Sequence, residues 1–176
     1  LILEFTNKDC VVYTSLIGEH EGLNSQKYIK DSNLRHICFT DDRNLTSIDW
    51  EIIHVDKIFP CDFYRSQRNL KVRPHLILPQ YKYSLYIDNT VLLKRRSEEF
   101  IEMIINNQNL KEDEPFFCLP YHSQFNLINE FNACANNKLD DQFRIYEQLN
   151  DYIKTNLNAL KQRAYWGAIL LRNHNH

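Results

Sequence analysis

Glycine and proline are scarce, with 3 and 5 copies respectively among 176 residues. This scarcity excludes collagen-like, elastic and linker-type chains. No apolar run approaches the roughly 20 residues that a helix needs to span a bilayer, so no transmembrane segment is expected. The opening LILEF is too short for a signal peptide. Because the chain does not begin with Met, we expect that residues upstream are missing or cleaved.

The cysteine pattern indicates neither a disulfide framework nor a zinc site. The count of 5 is odd, and no two cysteines stand at CxxC spacing. This excludes a zinc ribbon, a redox pair and a fully paired disulfide scaffold. Free thiols are typical of a reducing compartment, so the sequence predicts a cytoplasmic protein.

Neither sign of charge is in large excess, since the formal net charge is -2. Coating a nucleic acid needs a surplus of Lys and Arg, so we predict no nucleic-acid partner. A local basic site for one phosphate or diphosphate remains compatible with this balance. Aromatic residues are plentiful, with 10 Phe and 10 Tyr. They can fill the core of a single domain over residues 1–176.

Apolar, β-branched runs alternate with stretches of helical spacing, which predicts an α/β sandwich with a mainly parallel sheet. The predicted strands are 10–17, 34–40, 50–55, 83–87, 115–119 and 168–171, with a short one at 91–94. The predicted helices are 24–30, 64–78, 97–105, 124–135 and 139–157. Pro74 is expected to kink the second helix or to start a new one.

The segment YSLYIDNTVLLK carries the clearest candidate site, because its apolar strand delivers Asp88 into a turn. Ligands of open α/β sheets bind beyond the carboxyl ends of the strands. A carboxylate there can hold a divalent cation that bridges to phosphate oxygens. The alternative is that Asp88 only caps the turn.

Basic side chains precede that strand. Arg68 and Lys71 are three residues apart and share a helix face, with Arg65 one turn earlier. Such a face can bind a diphosphate or a carboxylate, or it can simply face solvent. Polar groups at the ends of the first two strands form a second candidate cleft: Thr14, Ser15, Asp41 and Asp42.

A His and a Glu are the candidates for acid–base chemistry, namely His122 and Glu130. The usual signatures of other sites are missing. The sequence has no HExxH, no GxGxxG, no GxxxxGK[ST] and no GxSxG. The sequence therefore predicts no zinc-protease site, no common dinucleotide-binding or P-loop phosphate site, and no nucleophile elbow of an α/β-hydrolase.

Several segments occur in a recognisable order: VVYTSLIG, HICFTDD, SQRNLKVRPHLILPQYKYSLYIDNTV, PYHSQFNLINEFNAC and AYWGAILLRNHN. Together they resemble the plant and bacterial glycosyltransferase-like family related to mucilage and pollen-tube proteins. The resemblance implies a GT-A-type, nucleotide-sugar-binding α/β/α sandwich. The family pattern continues beyond the final His-Asn, so either the chain is truncated at its C terminus or it is a short member.

The resemblance also implies roles for the candidate residues. Asp88 corresponds to the metal-binding DxD motif, with Thr90 in place of the second carboxylate and Mn²⁺ or Mg²⁺ as the implied ion. Weaker metal affinity, or a dispensable metal, follows from that replacement. The implied donor-binding residues are Thr14 and Ser15 at the nucleoside, Asp41 or Asp42 near the base or ribose, and Arg68 and Lys71 at the diphosphate.

The function implied is that of a hexosyltransferase-like glycosyltransferase. It would move a sugar from a nucleoside-diphosphate-sugar donor to an unknown glycan, lipid or protein acceptor. The alternative is a non-catalytic GT-A-like protein that binds nucleotide sugars or acts as a scaffold. The absent second carboxylate favours that alternative.

Overall fold

One sheet of six strands organises the chain in the computed structural model, which describes residues 6–18, 21–108, 116–120 and 126–174. The strands are β1 (Cys10–Leu16), β2 (Arg35–Thr40), β3 (Glu51–His54), β4 (Tyr83–Ile87), β5 (Phe116–Pro120) and β6 (Tyr165–Asn173). Their order across the sheet is β3-β2-β1-β4-β6-β5.

The helices are α1 (Phe63–Val72), α2 (Pro74–Ile77), α3 (Ser97–Gln108), α4 (Leu127–Asn136), α5 (Gln142–Thr155) and α6 (Leu157–Leu160). A 3₁₀ turn covers Ile29–Asp31. The α/β class predicted from the sequence is confirmed.

The centre of the sheet is parallel and buried on both sides. Tyr13 of β1 lies opposite Ile37 of β2 and Tyr86 of β4, and β3 continues the parallel pairing beyond β2. All seven residues of β1 are buried. Strand β6 runs antiparallel to β4. A strand covered on both faces needs a continuous apolar run, which is why these strands could be predicted from the sequence.

Helices cover both faces of the sheet. The Tyr13 side chain points to the face that α1 covers, because its hydroxyl reaches backbone carbonyls at the end of α1. The next residue in register, His36 opposite Val12, points the other way. Its Nε2 lies 2.8 Å from the Ser97 hydroxyl at the start of α3. Helices α1 and α3 therefore lie on opposite faces.

The boundaries of α1 follow from local chemistry. The Asp62 carboxylate accepts from the Arg65 N–H, 2.9 Å away, and so caps the first turn. Pro74 has no N–H and disfavours helical geometry at the preceding residue, so α1 ends at Val72. Pro74 then occupies the first turn of α2. Of the two expectations for Pro74, the start of a second helix is confirmed.

Two predicted elements are wrong. Residues 91–94 form no strand, because the Gln26 side chain forms hydrogen bonds with their backbone. Its Nε2 donates to the Val91 carbonyl, and its Oε1 accepts from the Leu93 N–H. Residues 24–30 form no helix apart from the 3₁₀ turn, since the Asn24 N–H donates to the Asn89 side chain instead.

The chain divides into two compact units, Leu1–Phe117 with Ala168–His176, and Cys118–Gly167. The second unit contains α4, α5 and α6, with the Phe131 and Tyr152 rings in edge-to-face contact at 6.1 Å. A bridge between Asn126 and Arg163 joins its ends. In the described part of the chain, no helix has both the length and the apolar character needed to cross a membrane.

Candidate functional site

A cleft of about 300 Å³ opens in the first unit, at the carboxyl end of β4 and beside α1. Nine residues line it: Glu21, Tyr64, Gln67, Arg68, Lys71, Tyr86, Asp88, Asn89 and Thr90. This is the edge of a parallel sheet at which ligands bind. The basic residues of α1 and the carboxylate after β4 therefore meet in one place, as the sequence predicted for Arg68, Lys71 and Asp88.

An ion pair lies at the centre of the cleft. The Lys71 Nζ is 2.9 Å from Asp88 Oδ1, and the Tyr86 hydroxyl donates to the same oxygen at 2.7 Å. The Lys71 ammonium also stands 4.9 Å from the centre of the Tyr86 ring, within cation–π range. Burial, together with the adjacent Asp88 carboxylate, raises the pKa of Tyr86 well above its usual range. The phenol therefore remains protonated and acts as a donor.

Three side-chain hydrogen bonds hold the part of α1 that carries Lys71. The Tyr13 hydroxyl lies 3.1 Å from the Lys71 carbonyl, and Arg172 donates to the Val72 carbonyl at 3.1 Å. One turn earlier, the Gln67 side-chain amide donates to the Ser15 carbonyl at 2.9 Å. The Tyr13 and Arg172 bonds satisfy carbonyls that the end of α1 leaves open, and the Tyr13 and Gln67 bonds hold α1 against β1.

Asn89 joins the Asp88 turn to a distant loop. Its Oδ1 accepts from the Asn24 N–H at 2.7 Å, and its Nδ2 donates to the Gly22 carbonyl at 2.9 Å. The residue is 6% exposed. Its amide is thus a structural brace that holds the loop following Glu21 against the wall of the cleft.

The predicted residues on β1 are buried within the sheet. Thr14 and Ser15 are both 0% exposed. Ser15 reaches the cleft region through its backbone, since its carbonyl accepts from Gln67. Thr14 is not among the residues that line the cleft. In this structure it has no surface with which to touch a ligand directly.

The two aspartates after β2 separate into different roles. Asp42 lines a small adjoining pocket together with Thr40, Glu21 and Gln67. Asp41 instead accepts from the Gly18 N–H at 2.9 Å and pairs with Lys57 at 2.9 Å. Partial burial by itself would raise the pKa of Asp41, but the Gly18 and Lys57 contacts outweigh it and lower the pKa. Asp41 therefore stabilises the end of β1, and Asp42 lines the adjoining pocket.

The structure describes only one of the two acid–base candidates. Glu130 is exposed on α4 in the second unit, and its carboxylate is 3.8 Å from the Cys134 thiol. His122 lies outside the described residues. Their catalytic roles stay predictions.

The side chains at Asp88 are a poor fit to a divalent cation. One carboxylate oxygen already accepts from both Lys71 and Tyr86, and the ammonium charge opposes a second cation at that oxygen. The Asn89 amide oxygen is used by Asn24, which leaves Thr90 to offer a neutral hydroxyl. Mg²⁺ and Mn²⁺ prefer several hard oxygen ligands. Within the described ranges, no cluster of three or more His, Cys, Asp or Glu side chains is arranged to hold a metal ion.

Five residues of the cleft were not predicted as site residues from the sequence: Glu21, Tyr64, Gln67, Tyr86 and Asn89. Tyr86 lies in β4, two residues before Asp88, which directly follows the strand, so continued strand alternation places both on one face. That signal was present in the sequence. Nothing local indicated Glu21 or Gln67, since they reach the cleft from separate elements.

The fold resembles that of a known transferase. The crystal structure of mouse xyloside xylosyltransferase 1, in its apo form, superposes with a TM-score of 0.50 at 11% sequence identity. The alignment covers 94% of this chain and 67% of the xylosyltransferase. At this identity the likeness establishes the fold alone, which is GT-A-like. No curated protein matches the chain in sequence.

The sequence model that describes a TOD1/MUCI70 glycosyltransferase-like domain matches residues 3–176, which is nearly the entire chain. The match includes all the elements that build the cleft, from β1 through α1 and β4 to β6. The family resemblance seen in the sequence is thereby confirmed, and the chain belongs to the TOD1/MUCI70 glycosyltransferase-like domain family.

Proposed function

We propose that this chain transfers a sugar from a nucleoside-diphosphate-sugar donor to a hydroxyl group of a glycan, lipid or protein acceptor. The observation that carries the proposal is the position of Lys71 and Arg68. Both line the cleft at the carboxyl edge of the sheet, where α/β folds bind nucleotides. The family and the GT-A-like fold support the same reaction class.

In the proposed reaction, the bond between the anomeric carbon and the diphosphate oxygen breaks, and the diphosphate leaves with the electron pair. The acceptor oxygen forms the new bond to the anomeric carbon. Negative charge grows on the leaving diphosphate, so Lys71 and Arg68 stabilise it through charge-assisted hydrogen bonds. Preorganised donors are effective because they need no rearrangement during the reaction.

The acceptor hydroxyl must lose its proton. Two carboxylates line the cleft, Asp88 and Glu21. Asp88 Oδ1 is already engaged by Lys71 and Tyr86, whereas Glu21 is exposed. We therefore assign proton acceptance to Glu21, a group within the cleft, ahead of Glu130 in the second unit. Asp42 and Gln67, which border the adjoining pocket, are proposed to contact the nucleoside.

A panel of nucleotide sugars tests this function with the full chain. Release of nucleoside diphosphate is measured together with the melting temperature. A donor present at about one hundred times its Kd should stabilise the fold by roughly 2.7 kcal/mol. Lys71→Met should lower both the thermal stabilisation and the release of nucleoside diphosphate, and Lys94→Met, which changes an exposed lysine outside the cleft, should preserve them.

A non-catalytic nucleotide-sugar-binding protein is the second candidate. The observation that favours it is the single strand-end carboxylate of the motif, which is already paired with Lys71. Thermal stabilisation by a donor without release of diphosphate, in the presence of a broad mixture of acceptors, would establish binding without turnover. Absence of both signals for every donor would contradict both candidates.

A further inference from the structure

We infer that the Lys71 ammonium, oriented by Asp88 and Tyr86, takes the place of a divalent cation at the diphosphate. The inference rests on the proposed function. Lys71 neutralises the negative charge of the donor diphosphate, so donor binding requires no metal.

The first support is the location of the positive charge. In a metal-dependent site the cation sits against the strand-end carboxylate and faces the phosphates. Here that place beside Asp88 is taken by Lys71 Nζ, at 2.9 Å. The ammonium carries three N–H donors, and Asp88 accepts from one of them. The other two can donate to phosphate oxygens that enter the cleft.

The second support is how firmly Lys71 is held. Its backbone carbonyl accepts from the buried Tyr13 hydroxyl, and its side chain lies over the Tyr86 ring. The Lys71 side chain is 21% exposed, so it is partly withdrawn from water yet open on the cleft side. A fixed and partly desolvated charge interacts with an anion more strongly than a mobile surface lysine does.

The third support is the role left for Asp88. Its Oδ1 accepts two hydrogen bonds from within the protein, one from Lys71 and one from Tyr86. This arrangement makes Asp88 an orienting partner of Lys71. The residue beside it, Asn89, braces the turn, and Thr90 contributes no charge. The Asp-Asn-Thr sequence therefore fits a lysine-based site better than a metal-based one.

The test is calorimetric titration of the full chain with UDP and with GDP, in excess EDTA and in excess Mn²⁺. Wild type should bind one of them with the same affinity in both conditions. Lys71→Met should weaken that binding about tenfold or more in both, because a charge-assisted hydrogen bond is lost. Asp88→Asn should change the affinity by the same factor in EDTA and in Mn²⁺. Lys94→Met is the matched control, and circular dichroism reports whether each variant folds.

Binding by wild type only in Mn²⁺ would overturn the inference while leaving the proposed function intact. So would a loss of affinity in Asp88→Asn that occurs in Mn²⁺ alone, because only a metal ligand has that effect. Failure of wild type to bind either nucleotide in either condition would overturn the inference together with the proposed function. The comparison of EDTA with Mn²⁺ on wild type needs no variant, so it holds even if Lys71→Met does not fold.

Discussion

The Tyr13 hydroxyl lies 3.1 Å from the backbone carbonyl of Lys71, so the fully buried strand β1 is bonded to the residue that pairs with Asp88. Tyr13 is itself fixed by edge-to-face contacts with Phe39 and Tyr86, at 6.1 and 5.1 Å. Burial raises the pKa of Tyr13 well above its usual range, so its hydroxyl remains a donor. The core and the cleft are thus connected through one aromatic side chain.

Tyr13→Phe should destabilise the fold by about 1 kcal/mol, because it removes the hydroxyl that the Leu70 and Lys71 carbonyls share as a donor. It should also weaken nucleotide binding, since Lys71 is no longer held in place. Urea unfolding gives the first quantity, and titration with the nucleoside diphosphate at a temperature at which the variant is fully folded gives the second. Tyr165→Phe, at a residue 63% exposed, is the control for loss of a hydroxyl. Unchanged nucleotide affinity in Tyr13→Phe would show that Tyr13 serves the core alone.

Glu21→Gln should lower the rate of sugar transfer by about a hundredfold or more while donor affinity stays similar, because a general base contributes on the order of 10²–10⁴ to the rate. The amide keeps the size of the side chain but cannot accept the proton. Single-turnover rates and calorimetric donor binding separate these two effects. Glu102→Gln, on α3 and away from the cleft lining, is the matched control. An equal rate in Glu21→Gln and wild type would remove Glu21 from the reaction.

Asn89→Ala should destabilise the fold by roughly 1–3 kcal/mol, since it leaves the Asn24 N–H and the Gly22 carbonyl without their partner. Chemical denaturation measures the loss. Asn33→Ala removes an exposed amide from the same unit and should change stability little. A similar small effect for Asn89→Ala would mean that water replaces the brace.

Acidification should destabilise the protein through His36. Its Nδ1 is 3.0 Å from the Leu34 carbonyl and its Nε2 is 2.8 Å from the Ser97 hydroxyl. Burial lowers the pKa of His36, against smaller opposing effects of Leu34 and Glu98. The unfolded chain therefore gains a proton at about pH 6.5, where the folded chain resists it. The stability is present above that pH and is lost as the pH falls below it.

The measurement for His36 is the urea midpoint of wild type and His36→Gln from about pH 7 to pH 5. Wild type should lose more stability over this interval than the variant, because Gln does not titrate. Parallel pH dependences in the two proteins would assign the acid sensitivity to other groups.

The sequence by itself determined the class of fold and its central elements. Strands β1, β2 and β4 could be predicted because a strand buried on both faces must be apolar along its whole length. The helix break at Pro74 could be predicted because proline lacks an N–H and restricts the residue before it. The family followed from the order of several short segments, which no single one of them could have indicated.

Only the tertiary structure decided how the cleft is built. Lys71 meets Asp88 because α1 lies over the face of the sheet to which Tyr13 and Tyr86 point, and no local pattern encodes that packing. Asn89 bonds to Asn24 across 65 residues of chain. The same long-range pairing explains the wrong strand at 91–94, where Gln26 supplied the hydrogen bonds that a neighbouring strand would have made. Local propensity indicates which segments can pair, but the competition among distant polar groups decides which of them do.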